Sequence, residues 1–328
     1  MMKFFNIDTH ISVIADLKYI FTELGHKVDF WSLSGHRWVF NLPPCTSPVI
    51  NESNWQQINE QMVDKFFVTH YKDLDRYDAF ISSNLPIFLK LFEKFKKPII
   101  VVAGTRYDFP VIDDADRLAW LEVSLNNNQN LILVANNEFD KRYSEKFLKR
   151  KWQHIPSLCL YTNEKYCPTD YRRVVFSKRV MFSKLPVQSI QDAVHQSQLG
   201  RYTWKQLYSY RDIIHFPYNV STMSLFEQSS AGVQILMPSM KFCMELLDQG
   251  VPLFSEITFP NNDPKRSRHQ FLSEDWLKSC DFYNGVINVH YFDSIRELNA
   301  KQEHVRPTLS TDNKDRVYAS WKNILKQL

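Results

Sequence analysis

Apolar residues along this chain gather in short unbroken runs, each of which exits into a polar turn and then into a stretch with apolar positions three and four apart. The first run, residues 3–7, leads into Asp8-Thr9-His10 and then into Val13, Leu17, Ile20, Phe21 and Leu24, closed by Gly25. A continuous run followed by a 3.6-residue period predicts a buried strand and then a helix. Residues 28–31 predict the next strand, so the chain opens as β-α-β. The same alternation predicts a helix over 55–71, strands at 79–82 and 99–103 with a helix over 85–95 between them, a strand at 131–135, a helix over 138–150 and a short strand at 154–158. Residues 159–171, with Asn163, Pro168 and Asp170, read as a crossing between domains. Beyond it come a strand at 172–176, a helix over 202–210 and a strand from Ile213 to Phe216. After a polar loop at 218–222, a short helix is expected to begin with a capping box between Ser224 and Glu227 and to end at Gly232. A strand at 233–237, a helix carrying Met240, Cys243, Met244 and Leu247 up to Gly250, a helix around 275–278 and a last helix over 313–328 complete the pattern. Strands joined through helices imply parallel sheets.

With 328 residues the chain has room for two domains, and 44% apolar and 14% aromatic residues are globular proportions. Net charge is +4 without a long basic run, so nucleic acid is not an expected partner. The five cysteines, Cys45, Cys159, Cys167, Cys243 and Cys280, are dispersed and odd in number, which reads as free thiols in a cytoplasmic chain. No apolar run approaches the roughly eighteen residues of a membrane span, and no signal peptide is read at the start. Only seven glycines are present, and neither a GxGxxG turn nor a Walker loop can be written.

In a doubly wound sheet, ligands meet the carboxyl ends of the strands and the N-termini of the following helices. The turn holding Ser221, Thr222, Met223 and Ser224 lies at such a place and suits a phosphate held by a helix end. His10, in the first such turn, can serve as a general base because a group of pKa ~6.5 accepts a proton near neutrality, and Asp8 can orient it. The alternative is that His10 caps or packs beside its helix. Ser34, His36, Arg37 and Trp38 mix hydroxyl, imidazole, guanidinium and indole, as sugar sites do, though the loop can also be anchored by a buried Trp38. Arg106 and Asp108 follow the strand at 99–103 and can meet an acceptor, or can pair with each other at the surface. The triplet Asp73-Leu74-Asp75 sits in a charged stretch and reads as a solvated helix end rather than a metal site.

The segment around Glu227, SLFEQSSAGVQILMPS, resembles the donor-half signature of GT-B glycosyltransferases. That resemblance implies two Rossmann-like domains facing a cleft, with residues 1–158 on the acceptor side, 159–312 binding the donor, and a terminal helix, 313–328, returning to the first domain. It implies that Glu227 binds the ribose of a sugar nucleotide and that Ser221, Thr222, Met223 and Ser224 contact its diphosphate. It also makes Lys178 or Arg179 the cation facing that diphosphate, with Lys184 second, and gives His10 the role of base. The commoner form of the signature has a second glutamate eight residues earlier, where this chain has Asn219. Retention or inversion at the sugar therefore stays open. The implied activity is metal-independent transfer of a sugar from a nucleoside diphosphate to a hydroxyl of a carbohydrate or glycoconjugate, with no cofactor besides the donor. A sugar-nucleotide epimerase and a non-catalytic carbohydrate-binding protein are the alternatives.

Overall fold

The computed structural model describes residues 1–178, 181, 184, 185, 189–260, 263–301 and 311–328. It divides into two compact units. The first holds Met1–Ser157 with Lys314–Leu328, and the second Leu158–Phe259 with Asp263–Asn313.

The first unit is built on β1 (Lys3–Asp8), β2 (Lys27–Ser32), β3 (Ala79–Asn84), β4 (Ile99–Ala103), β5 (Leu131–Ala135) and β6 (Gln153–His154). They form one sheet in the order β2-β1-β3-β4-β5-β6 with every pairing parallel. All five residues of β4 are buried, because a parallel sheet is covered by helices on both faces. Trp321 of the terminal helix Thr311–Leu325 is buried and meets Phe21 edge-on, ring centroids 5.1 Å apart.

The second unit is built on β7 (Asp170–Phe176), β8 (Ala193–His195), β9 (Tyr210–His215), β10 (Ile235–Pro238) and β11 (His290–Phe292), in the order β11-β10-β9-β7-β8 and again parallel throughout. Both sheets thus follow one rule, the chain stepping outward from its first strand to the second and then crossing to the other side for the third. The direction reverses between β1 and β3 in one unit and between β7 and β9 in the other. At such a point the two adjacent helices lie on opposite faces, which opens a crevice at the carboxyl ends of the strands. Two doubly wound α/β units in succession are the architecture that the resemblance to GT-B glycosyltransferases implied.

Several elements differ from the pattern reading, each for a local reason. The helix expected over 55–71 is split: Asn59 accepts a hydrogen bond from the Met62 amide and starts a helix, Glu60–Leu74, after a separate turn at Trp55–Gln57. Residues 85–95 form three short helical pieces, and the Ser82 hydroxyl donates to the Leu85 and Pro86 carbonyls at their start. A capping box between Thr203 and Gln206 starts the helix expected over 202–210, which runs only Trp204–Leu207 and leaves Tyr210 to begin β9. β6 covers only Gln153–His154 of the neighbourhood expected at 154–158. The helix Ala115–Asn127 and the three-residue strands β8 and β11 were not legible as periods.

Candidate functional site at the strand reversals

In the second unit, β7 exits through Ser177 and Lys178 beside the exit of β9, Phe216 to Ser221. The helix Met223–Ala231 follows. Its N-cap, Thr222, has extended backbone and makes no side-chain cap bond, and Gly232 takes the left-handed conformation at the other end with φ 78°. The capping box expected between Ser224 and Glu227 is not formed. Glu227 turns its carboxylate elsewhere: Tyr161 donates its hydroxyl to Oε1 and Trp204 its indole N–H to Oε2. Two aromatic donors therefore hold the carboxylate one turn into the helix, and its charge lifts the neighbouring Tyr202 phenol, already raised by burial, to about 12.

The first turn of that helix meets Tyr218. The Thr222 and Ser224 hydroxyls lie 3.2 Å apart, and both hold down the Tyr218 phenol, whose pKa burial raises overall. Lys178 places Nζ 4.6 Å from the centroid of the Tyr218 ring and 3.3 Å from Glu256 Oε1. One cation, three hydroxyls and a helix N-terminus thus converge where β7 and β9 part. Ser221 is buried in the turn and Met223 packs inward as the first helical residue. Lys184 is directed to the Gly250 carbonyl, and Arg179 lies outside the described residues. Behind the site, His215 bonds Gln228 at 2.7 Å and stacks on Phe176, and burial holds its imidazole down to about 4. This neutral pair fastens the helix to β9. Ser177 is fixed in the same way by His195, whose Nε2 is 3.1 Å from the serine hydroxyl.

In the first unit the corresponding reversal carries Asp8 at the end of β1, Thr9 and His10 after it, and Ser83 and Asn84 at the end of β3. Asp8 is fully buried. Its carboxyl group accepts from the His10 backbone N–H at 2.6 Å and lies 2.7 Å from the Ser83 hydroxyl. It thus reaches the His10 amide and not the imidazole that it was expected to orient. Burial, only partly offset by these bonds, raises the Asp8 pKa well above the ordinary carboxylate value. His10 is the N-cap of the helix Ile11–Glu23 without a side-chain cap bond. His10 is exposed, and loss of hydration first and the charge of His36 second lower its pKa from the ordinary imidazole value. Asn84 donates to the Thr9 hydroxyl at 3.2 Å, and a Cβ on Gly104 would stand 2.8 Å from Asn84 Oδ1, so a larger residue there would have to push the Asn84 amide aside.

The remaining acceptor-side candidates separate. Ser34 is buried and accepts from the His36 N–H, whereas His36 is exposed. Trp38 is 43% exposed and is not the buried anchor that the loop allowed. Arg106 and Asp108, expected to face an acceptor or to pair at the surface, are instead interior. Asp108 is fully buried, its carboxylate 3.6 Å from the Arg106 guanidinium and bonded by the Tyr143 hydroxyl, while Arg106 lies over the Tyr143 ring. The Asp73-Asp75 triplet closes a helix, and Asp75 pairs with Lys97 at 3.1 Å. Tyr218, Glu256, Tyr161, Trp204 and Ser83 were not singled out from the sequence. Their positions in loops and neighbouring elements carry no period, and only Tyr218, inside the loop already marked at 218–222, had a local signal.

No family model matches the sequence, and no curated protein does. Among solved structures, the chain is similar to a putative UDP-N-acetylglucosamine 2-epimerase from Listeria monocytogenes, at 10% identity and a TM-score of 0.47 over 100% of this chain and 97% of that one. It is also similar to S. aureus MnaA in a co-structure with UDP, at 13% identity and 0.46 over 100% and 98%. The glycosyltransferase SnogD from Streptomyces nogalater follows the chain at 13% identity and 0.40 over 98% and 94%. Likeness this low says nothing of what this chain binds or transfers.

Proposed function

We propose that this protein is a glycosyltransferase that moves a sugar from a nucleoside diphosphate to a hydroxyl acceptor, with the donor held by the second unit. The observation that carries the reading is the meeting of Lys178, the Thr222–Ser224 hydroxyls and a helix N-terminus at one strand reversal, with Glu227 one turn further along the same helix. A diphosphate there gains a cation and the positive end of a helix dipole, both of which strengthen as negative charge collects on the leaving group. Glu227, held by Tyr161 and Trp204, keeps acceptor capacity for ribose hydroxyls, as the signature implies. His10 is neutral at pH 7 and able to accept a proton, although its low pKa makes it a weak base. Among the described residues no feature sets an epimerase ahead of a transferase, and product analysis separates them, because an epimerase converts the donor without an acceptor.

The test is calorimetry and thermal shift with nucleoside diphosphates and their sugars, comparing wild type with Lys178→Ala and Glu227→Ala. Saturation at about a hundred times Kd adds ~2.7 kcal/mol to wild-type stability. Lys178→Ala is expected to weaken binding about tenfold, the loss of one charge-assisted contact worth ~1.4 kcal/mol, and Glu227→Ala to remove the preference for ribose-bearing ligands. If no nucleoside diphosphate shifts the wild-type melting curve, the transferase reading is abandoned for the carbohydrate-binding one.

A further inference from the structure

The cation of the candidate site already has an anion. Glu256 reaches Lys178 at 3.3 Å, and its segment is fastened to the exit of β9 by two backbone bonds, Phe254 N–H to the Pro217 carbonyl at 2.9 Å and Glu256 N–H to the Tyr218 carbonyl at 3.0 Å. Phe254 is fully buried and holds a left-handed backbone, φ 57°, a conformation that a phenylalanine keeps only where its surroundings impose it. The segment is thus set firmly beside Tyr218, while the Glu256 side chain on it and Lys178 at the exit of β7 stay close to half exposed, at 46% and 42%. An ion pair of that exposure is weak. It can be broken by a ligand that offers Lys178 more charge than one carboxylate does, and the neighbouring helix N-terminus offers that ligand further donors.

We propose that Glu256 is the resident counter-ion of the Lys178 site, displaced when a diphosphate binds and paired with Lys178 again when it leaves. This rests on the reading of the site as a diphosphate site. It makes Glu256 a determinant of affinity rather than a binding contact, since its carboxylate competes for Lys178 and repels an incoming anion. No covalent step is involved.

The experiment is calorimetric titration of the full chain with inorganic pyrophosphate at physiological ionic strength. Glu256→Gln removes the charge and keeps the shape, and it is expected to bind pyrophosphate about two- to fivefold more tightly than wild type, the span of an exposed ion pair. In a Lys178→Ala background the same substitution is expected to gain less than half of that factor, a coupling that a merely structural role for Glu256 does not produce. Affinity unchanged or weakened in Glu256→Gln overturns the proposal. So does a full gain that persists without Lys178, or no pyrophosphate binding by any variant. Glu256→Ala, giving the same direction, guards against a local effect of the glutamine amide. The transferase reading is judged separately, by formation of glycosylated product, so it can fail while the counter-ion result stands.

Discussion

Replacing Asp8 by asparagine tests the physical state of the first-unit site, where Asp8, Ser83 and Asn6 share one buried cluster. The Ser83 hydroxyl lies 2.7 Å from Asp8 Oδ2 and 2.9 Å from Asn6 Oδ1, and it has one proton for two acceptors. With the Asn6 amide turned as it is, its Nδ2 without a partner, an ionised Asp8 leaves one of these contacts without a hydrogen. A protonated Asp8 donates to Ser83, which donates onward to Asn6, while the other carboxyl oxygen still accepts from the His10 amide. The raised pKa, caused by burial, agrees with the protonated form. Asparagine reproduces that form, with its amide N–H donating to Ser83 and its oxygen accepting from His10. Because the folded-state pKa lies above the unfolded value, the folded protein binds the extra proton in the interval between them, and stability falls as pH rises through it. Below pH ~4 wild type and Asp8→Asn are expected to melt alike. Above it wild type loses up to ~1.36 kcal/mol per pH unit relative to the variant, or about 3–5 °C per unit, until the folded pKa is passed. Differential scanning calorimetry of both proteins from pH 4 to 7 measures this, with all other titrations cancelling in the difference. Parallel melting temperatures across that range, or a variant less stable than wild type at pH 7, would refute the protonated carboxyl and leave Asp8 ionised in the folded protein.

Gly104→Ala is expected to destabilise the first unit by about 1–3 kcal/mol, since its Cβ would meet Asn84 Oδ1 at 2.8 Å and the Asn84 Cα at 3.3 Å, and Asn84 is itself left-handed at φ 60°; urea denaturation reads the loss, and an unchanged midpoint sinks the argument. In the second unit Arg173 is almost fully buried, lies 3.3 Å from Asp212 and donates to the carbonyls of Leu298 and Lys301. Arg173→Met is expected to cost about 3 kcal/mol in chemical denaturation, the low end for breaking a buried pair because Arg211 still reaches Asp212, and adding Asp212→Leu is expected to recover part of it.

How far the sequence reaches can be judged from particular residues. The apolar runs at 99–103 and 131–135 coincide with β4 and β5, and the left-handed glycines at 232 and 250 end their helices, because burial on both faces and a positive φ leave direct marks in composition. The alternation of runs and periods also carried the parallel, doubly wound class. Boundaries set by single side chains, such as Asn59 starting its helix and Thr203 with Gln206 confining the next, were weaker signals than the apolar pattern they interrupt. The three-residue strands β8 and β11 are too short for any period to register.

What the sequence by itself determined, then, is where strands leave into polar turns, and hence that Asp8, His10, Lys178 and the 221–224 turn sit at carboxyl ends. Which partners those residues meet was decided by tertiary structure. Glu227 is three residues from Ser224, yet its carboxylate goes to Tyr161 and Trp204, 66 and 23 residues away in sequence. Lys178 finds Glu256, and Asp8 finds Ser83, 75 residues on. Arg106 and Asp108 look like an exposed pair two residues apart and are buried around Tyr143. The physical reason is common to all of them. Hydrophobic periodicity records only which face of an element leaves water, whereas hydrogen bonds and ion pairs depend on distances of a few ångströms that are set once the elements have packed.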